Sequence, residues 1–194
     1  MKLRLRKVIS EKQLAEGCRQ KDRKIQRQVY EHFSPLMFTV CKRYISDASQ
    51  AEEVMLGGFM KVYEKIDMFE GNGSFEGWIR RIMVNESLSW LRKHKILSLQ
   101  VSLEEARDES EQEVADHLVT NQDLMNLIAQ LPDGYRTVFN LYAIEGYGHK
   151  EIAQKTGITE STSKSQLSRA RQMLQRNLKA IQHEAKKKIC SHEA

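Results

Sequence analysis

The sequence is poor in the features that mark several classes of protein. It has two prolines and ten glycines in 194 residues, too few for a collagen-like or low-complexity chain. Its three cysteines, Cys18, Cys41 and Cys190, are odd in number and far apart. We therefore expect free thiols rather than a disulfide framework. The longest nearly apolar run, residues 36–41, is much shorter than the ~18 residues of a membrane-spanning helix, so we expect no membrane insertion.

Motifs of catalysis and cofactor binding are also missing. The six histidines form no H-x-x-x-H pair, and the chain has no P-loop, no G-x-G-x-x-G and no G-x-S-x-G. We therefore predict no enzyme activity, no metal, no cofactor and no small-molecule substrate. The basic N-terminus leads into no apolar run, so we expect no signal peptide and a cytoplasmic protein.

The charge distribution divides the chain. Residues 98–126 carry eight Asp or Glu against one Lys or Arg, although the whole chain has a net charge of +5. Such a segment buries too little apolar surface to fold alone. We predict an all-α protein with two small helical domains, residues 1–96 and 121–194, joined by an acidic linker at 97–120. The linker is either a solvated spacer or an acidic mimic of nucleic acid, and charge alone does not decide between them.

Helix signals recur through the first half. Ser34 precedes Pro35 as an N-cap precedes a proline in the first turn. A capping box over residues 49–52 predicts the start of the next helix. Ser74 is the predicted N-cap of a third helix, which runs to about residue 94. Two glycines, Gly57 and Gly58, interrupt the second helix at about 1 kcal/mol each, which indicates close helix packing.

The third helix combines cations and aromatic rings with a glycine-bearing loop. A site for single-stranded nucleic acid needs cations and aromatic rings, because phosphates require counter-charge and unstacked bases require an apolar surface. The alternative is that the rings lie in the core and the arginines on a solvated face. The residues concerned are Asn72, Gly73, Ser74, Phe75, Trp78, Arg80, Arg81 and Asn85.

The second half has the pattern of a helix-turn-helix. A short helix over 149–156 is followed by a glycine turn and a long basic helix that starts at Glu160, with Thr159 as its N-cap. Leu167, Ala170 and Leu174 are predicted to face inward, and Ser163 stands where a buried aliphatic residue is commoner. Hydroxyls followed by cations suit a helix in the major groove, although a helical hairpin for protein contact has the same spacing. The positions predicted to face DNA are His149, Lys150, Ser161, Thr162, Lys164, Ser165, Ser168, Arg169 and Arg171.

Both halves resemble one family. Residues 73–85, with the sequence GSFEGWIRRIMVN, closely resemble the promoter-melting region of extracytoplasmic-function (ECF) sigma factors of the sigma-70 family. Residues 131–146 look like the start of that family's C-terminal domain, and the likeness continues through 149–153 and 162–171. The resemblance covers residues 20–182 with both motifs in the family's order.

The resemblance implies a non-catalytic subunit that binds core RNA polymerase and promoter DNA. The first domain would contact the polymerase clamp and the minus-ten element, and the second the flap and the minus-thirty-five element. The loop at residues 70–74 would capture an extruded base, the acidic linker would thread towards the RNA exit path, and an anti-sigma protein would commonly restrain the factor. The residues matching the family's polymerase contacts are Glu52, Glu53, Phe59, Lys61 and Tyr63.

The sequence departs from the family beside these contacts. Leu56 and Gly57 stand where a Gln and an acidic residue are common, so we expect an altered polymerase interface. Two other classes of function remain open: a stand-alone helix-turn-helix regulator, which would need no polymerase, and a small helical nuclease, which would need a carboxylate or histidine cluster.

Overall fold

The chain folds into two compact units. The structure, a computed structural model, describes residues 10–94 and 121–190, with side chains for 10–94 and 123–180. All regular structure in these ranges is helical, as predicted. The units are Met1–Trp90 and Leu91–Ala194. The predicted linker at 97–120 lies outside the described residues, and the predicted domain boundaries stay a prediction.

The first unit contains four α-helices among its described residues. They are α1 (Glu11–Arg19), α2 (Arg23–Lys42), α3 (Ala48–Glu64) and α4 (Phe75–Lys93), with a 3-10 turn (Ile66–Met68) after α3. The core consists of apolar side chains that recur at helical spacing. Its fully or almost fully buried members include Val29, Phe33, Met37, Val40, Val62, Ile79 and Met83.

Two predicted helix starts are wrong and one is confirmed. Ser34 is not an N-cap, because α2 begins at Arg23 and Pro35 lies inside it; Asp22 is the cap and accepts the N–H of Lys24 at 2.8 Å. The buried face of α2 continues on both sides of Pro35, so packing overrides the local signal. The next helix is capped by Asp47, which accepts the N–H of residue 50 at 2.8 Å, and not by residue 49. Ser74 does cap α4, since its Oγ accepts the N–H of residue 77 at 2.9 Å.

The two adjacent glycines of α3 have different surroundings. A Cβ added to Gly58 would lie 2.4 Å from Sδ of Met83 on α4, whereas a Cβ added to Gly57 would have no atom within 4 Å. The predicted close packing is therefore confirmed at Gly58 only. Gly57 faces open space.

The second unit has its own core. Its helices are α5 (Asn121–Ala129), α6 (Asp133–Phe139), which continues as a π-helical turn (Asn140–Ile144), α7 (His149–Thr156) and α8 (Glu160–Cys190). Apolar residues from α5, from the turn that follows it and from α8 form the central cluster: Leu127, Ile128, Leu131, Ala170 and Leu174. Leu124, which lies on α5, is 43% exposed and outside this cluster.

A buried arginine ties the end of α5 to α6. The last carbonyl groups of a helix have no partner within the helix. Nη1 of Arg136 donates to the carbonyls of Ala129 and Leu131, each at 3.1 Å, and Nη2 pairs with Asp133. Arg136 is 4% exposed, so these contacts compensate the desolvation of its guanidinium.

Candidate nucleic-acid and partner interfaces

An exposed loop leads into α4. Gly71 and Gly73 have φ angles of +79° and +102°, a backbone region that favours glycine, and no atom lies within 4 Å of a Cβ built on either. Asn72 donates from Nδ2 to Glu70 at 3.1 Å. The loop at residues 70–74 is thus exposed, including Asn72, Gly73 and Ser74, whose predicted contact with DNA stays a prediction.

The aromatic residues at the start of α4 are mostly buried. Phe75 is 0% exposed, and its ring packs edge-on against Phe33 at 5.9 Å and near Phe69 at 5.1 Å. Trp78 lies 6.0 Å from Phe75 with the ring planes 14° apart, and it is half-buried. Of the two alternatives that the sequence left open, the core position holds for Phe75, whereas the half-buried Trp78 reaches the surface.

Three predicted residues form a stripe on α4. Trp78, Arg81 and Asn85 are spaced i, i+3, i+7, which places them on one helix face. Arg81 and Asn85 are exposed, and Arg80 is half-buried on a neighbouring face. The stripe of a ring, a cation and an amide therefore begins next to the open loop, an arrangement that suits bases and phosphates of an unpaired strand.

The helix-turn-helix of the second unit has the predicted boundaries. α7 ends at Gly157, whose φ is +78° and whose N–H donates to the carbonyl of Ala153 at 2.9 Å. Thr159 caps α8 by accepting the N–H of Thr162 at 3.1 Å. Leu167 is buried, as predicted.

Most of the predicted DNA-facing positions of the second unit are exposed. Thr162 and His149 are half-buried, and Arg169 is half-buried with Nη1 donating to the hydroxyl of Tyr135 at 3.3 Å. Lys164 pairs with Glu160 at 2.8 Å within α8, an exposed contact of small energy. The exposed members are Lys150, Ser161, Lys164, Ser165, Ser168 and Arg171.

A polar pair joins the two helices of this motif. Nδ1 of His149 on α7 lies 2.9 Å from Oγ of Ser163 on α8, and Ser163 is fully buried. The His149 ring stacks on the Tyr142 ring with centroids 4.8 Å apart. Cζ of Arg171 also lies over the Tyr142 ring, 5.6 Å from its centroid. The departure at Ser163 is thereby explained: a hydroxyl replaces the usual aliphatic group because it bonds to the imidazole.

The residues predicted to contact polymerase are divided between surface and core. Glu52 and Glu53 are exposed on α3. Phe59 is only 2% exposed and packs edge-on against Tyr30 at 5.0 Å, so little of its surface is available to a partner, and its predicted polymerase contact stays a prediction. Lys61 and Tyr63 are half-buried and already bonded: Nζ of Lys61 lies 2.6 Å from Glu86, and the Tyr63 hydroxyl donates to a carbonyl of α2 at 2.9 Å.

An apolar groove of about 620 Å³ lies between α2 and α3. Its exposed apolar members are Leu56 and Met60, which are 46% and 60% exposed. Burial raises the pKa of Tyr63, whose ring lines one side of the groove. Met60 was missed from the sequence, although its i+4 spacing from Leu56 could have indicated an exposed apolar stripe. The groove residues are Gln26, Arg27, Tyr30, Glu53, Leu56, Gly57, Phe59, Met60 and Tyr63.

The part of the chain that the structure describes contains neither a metal-binding cluster nor a membrane-spanning helix. No group of three or more His, Cys, Asp or Glu side chains there is arranged to hold a metal ion. No helix there combines the length and the apolar character needed to cross a bilayer.

Comparison with known proteins gives one family for both units. Residues 29–96 match the family model for sigma-70 region 2, and residues 121–174 match that for sigma-70 region 4. The chain is 29% identical over 165 residues to the ECF RNA polymerase sigma factor SigW of Bacillus subtilis, covering 79% of this chain and 88% of that protein.

Other relatives carry the same description. The ECF RNA polymerase sigma-E factor of Haemophilus influenzae is 23% identical over 186 residues, covering 89% of this chain and 97% of that protein. Among solved structures, the sigma factor RpoE of Bartonella quintana, crystallised with the anti-sigma factor NepR, is 24% identical over 79% of this chain and 96% of that chain, with a TM-score of 0.48. These relatives are transcription factors rather than enzymes. The chain belongs to the extracytoplasmic-function sigma factors of the sigma-70 family, which serve transcription initiation by bacterial RNA polymerase.

Proposed function

We propose that this sigma factor reads promoters in two parts and assists their melting. The first unit would capture one unpaired base of the minus-ten element, and the second would bind the minus-thirty-five element as duplex. The observation that carries the proposal is the open loop at residues 70–74 with the stripe of Trp78, Arg81 and Asn85 next to it.

Melting follows from differential binding. Extruding a base from a duplex costs a few kcal/mol, and stacking on an aromatic side chain contributes about 1–3 kcal/mol per base. A surface that binds only the unpaired strand therefore lowers the free energy of the open state without ATP. Phe75 would act indirectly, because its ring is buried and lies 6.0 Å from that of Trp78.

The second unit would place the start of α8 in the major groove. Its exposed hydroxyls at Ser161 and Ser165 suit base edges, and Arg171 suits phosphate. The bond between Arg169 and Tyr135 gives Arg169 a fixed direction. If Arg169 reads a base, Arg169→Ala should weaken duplex binding by ~1 to 3 kcal/mol; if it contacts phosphate, the salt slope should fall by about one. Unchanged affinity and slope would contradict this assignment.

The apolar groove between α2 and α3 would receive core polymerase. The exposed side chains of Leu56 and Met60 supply the apolar contact, and Glu53 supplies a charge at its margin. Gly57 lines the groove without obstructing it, so Gly57→Glu should change the Kd for core polymerase. Ser49→Glu adds the same charge at an exposed position of α3 outside the groove and serves as the control. Equal Kd values for the two variants would contradict the assignment.

The remaining expectations follow from the family. An anti-sigma partner, a linker threading towards the RNA exit path and a cytoplasmic location beside the polymerase all stay predictions. None of them changes the first experiment.

That experiment is transcription in vitro. The purified protein is added to bacterial core RNA polymerase on fragmented genomic DNA, and RNA start sites are mapped. Defined starts that depend on the protein would support the proposal and give both promoter elements. Operator binding by the isolated protein, without such starts, would favour a stand-alone regulator instead.

A further inference from the structure

The first helix holds both ends of the loop at residues 70–74. Glu11, the first residue of α1, accepts the N–H of Phe75 on its Oε2 at 2.7 Å. Arg19, the last residue of α1, donates from Nη2 to the carbonyl of Phe69. The two contacts join residues 64 and 50 positions apart in sequence, so they are tertiary bonds and not local turn geometry.

Each contact is of the charge-assisted kind. The N–H of Phe75 belongs to the first turn of α4, where backbone N–H groups lack partners and a negative charge is favourable. Ser74 satisfies the N–H of residue 77, and Glu11 satisfies that of Phe75. At the other end, Nη1 of Arg19 pairs with Glu16 at 3.2 Å, which orients the guanidinium towards Phe69.

The helix that bears these side chains is itself fixed. Ser10 and Gln13 form a capping box at its start. Leu14 and Cys18 are buried, and a Cβ on Gly17 would lie 2.6 Å from Ile25 of α2. α1 therefore lies directly on α2 and has little freedom to follow the loop.

The loop between the two contacts has few restraints of its own. Gly71 and Gly73 adopt positive φ and have open surroundings. Ordering such residues upon binding costs conformational entropy, and restraint before binding reduces that cost. A loop that must receive one base gains affinity when its ends are held at the correct separation.

We propose that Glu11 and Arg19 are positioning residues, with α1 acting as a brace that keeps the base-capturing loop in its binding conformation. This inference rests on the proposed function of the loop. Neither residue needs to touch DNA, and neither belongs to the segment that matches the region 2 family model, residues 29–96.

The charge of Glu11 makes the test sharp. Removing an acidic group near DNA should strengthen binding by electrostatics alone, whereas loss of the brace should weaken it. Glu11→Ala removes both the charge and the acceptor. Glu11→Gln removes the charge and keeps an amide oxygen as acceptor. Glu64→Ala removes one exposed acidic group elsewhere in the first unit and is the matched control.

The assay uses holoenzyme made with the full chain and a fluorescent single-stranded oligonucleotide carrying the minus-ten element from the start-site mapping. We expect Glu11→Ala to weaken capture of the strand by about three- to ten-fold. Glu64→Ala should bind at least as tightly as the unaltered protein, and Glu11→Gln, which keeps a weaker neutral acceptor, should bind more tightly than Glu11→Ala. Affinity for core polymerase should stay the same for all three.

A second position gives an independent readout. Arg19→Ala should weaken strand capture while the salt slope stays unchanged, because a lost phosphate contact would lower that slope by about one and a lost brace would not. A lowered slope would overturn the positioning role of Arg19.

The outcomes separate this inference from the proposed function. If the unaltered holoenzyme captures the strand and Glu11→Ala equals Glu64→Ala, the brace is overturned and the proposed function stands. If the unaltered holoenzyme does not capture the strand, the proposed function fails and the inference fails with it.

Discussion

The two glycines of α3 provide the sharpest test of the packing. In a helix, alanine is favoured over glycine by about 0.5–1 kcal/mol. At Gly57 nothing opposes this gain, because no atom lies within 4 Å of the added methyl group. Gly57→Ala should therefore stabilise the first unit by that amount.

At Gly58 the same change should have the opposite sign. The added methyl would lie 2.4 Å from Sδ of Met83, which is 0% exposed, so the buried Met83 side chain must shift within the core. Overpacking of this kind costs about 1–3 kcal/mol, which exceeds the gain in helix propensity. We expect Gly58→Ala to lower the free energy of unfolding by about 1 kcal/mol, and so to differ from Gly57→Ala by about 2 kcal/mol.

The chain contains its own probe for this measurement. Both tryptophans, Trp78 and Trp90, lie on α4 and within the first unit, Trp90 as its last residue, so tryptophan fluorescence during urea denaturation of the full chain reports on that unit. Met83→Val shortens the opposing side chain, and in that background Gly58→Ala should lose most of its cost. The reasoning is refuted if Gly58→Ala stabilises as much as Gly57→Ala, or if its cost is the same in the Met83→Val background.

Three further predictions concern the cores of both units. Ser163→Val should lower the free energy of unfolding by about 1–3 kcal/mol because His149 loses its partner, as measured by circular dichroism; an unchanged midpoint would contradict this. Arg136→Ala should cost about 3 kcal/mol in the same assay, since two carbonyls at the end of α5 lose their donor, and a cost under 1 kcal/mol would argue against a capping role. Burial raises the pKa of Cys41 to about 11, so this thiol should resist iodoacetamide at pH 8 in the native state only. Because the folded state holds that proton more tightly than the unfolded state, whose thiol pKa is 9.0, the contribution of Cys41 to stability is present below pH 9 and falls between about pH 9 and 11; rapid native-state labelling would contradict the prediction.

Local signals sufficed where the responsible atoms are near in sequence. The caps at Ser74 and Thr159, and the bounds of α7, follow from hydroxyl and glycine positions within four residues of the helix end. The start of α2 did not follow, because the packing of its buried face outweighs the signal at Pro35.

The site was harder to predict than the helices for the same reason. Phe75 and Phe59 are buried because rings from a distant segment, Phe33 and Tyr30, pack against them. The spacing of apolar residues along one helix does not predict such contacts. The bond from Glu11 to the start of α4 spans 64 residues. Ser163 could be noticed as unusual, but its partner on α7 became evident only from the three-dimensional arrangement.

The contacts between α3 and α4 have a mechanical consequence. Gly58 lies against Met83, and three residues further along each helix Lys61 pairs with Glu86. The helix of the apolar groove and the helix of the Trp78 stripe are thus joined at two successive points. In the proposed function, the packing distance between α3 and α4 sets the distance from the docked polymerase to the captured base. No conformational signal has to pass between the two surfaces.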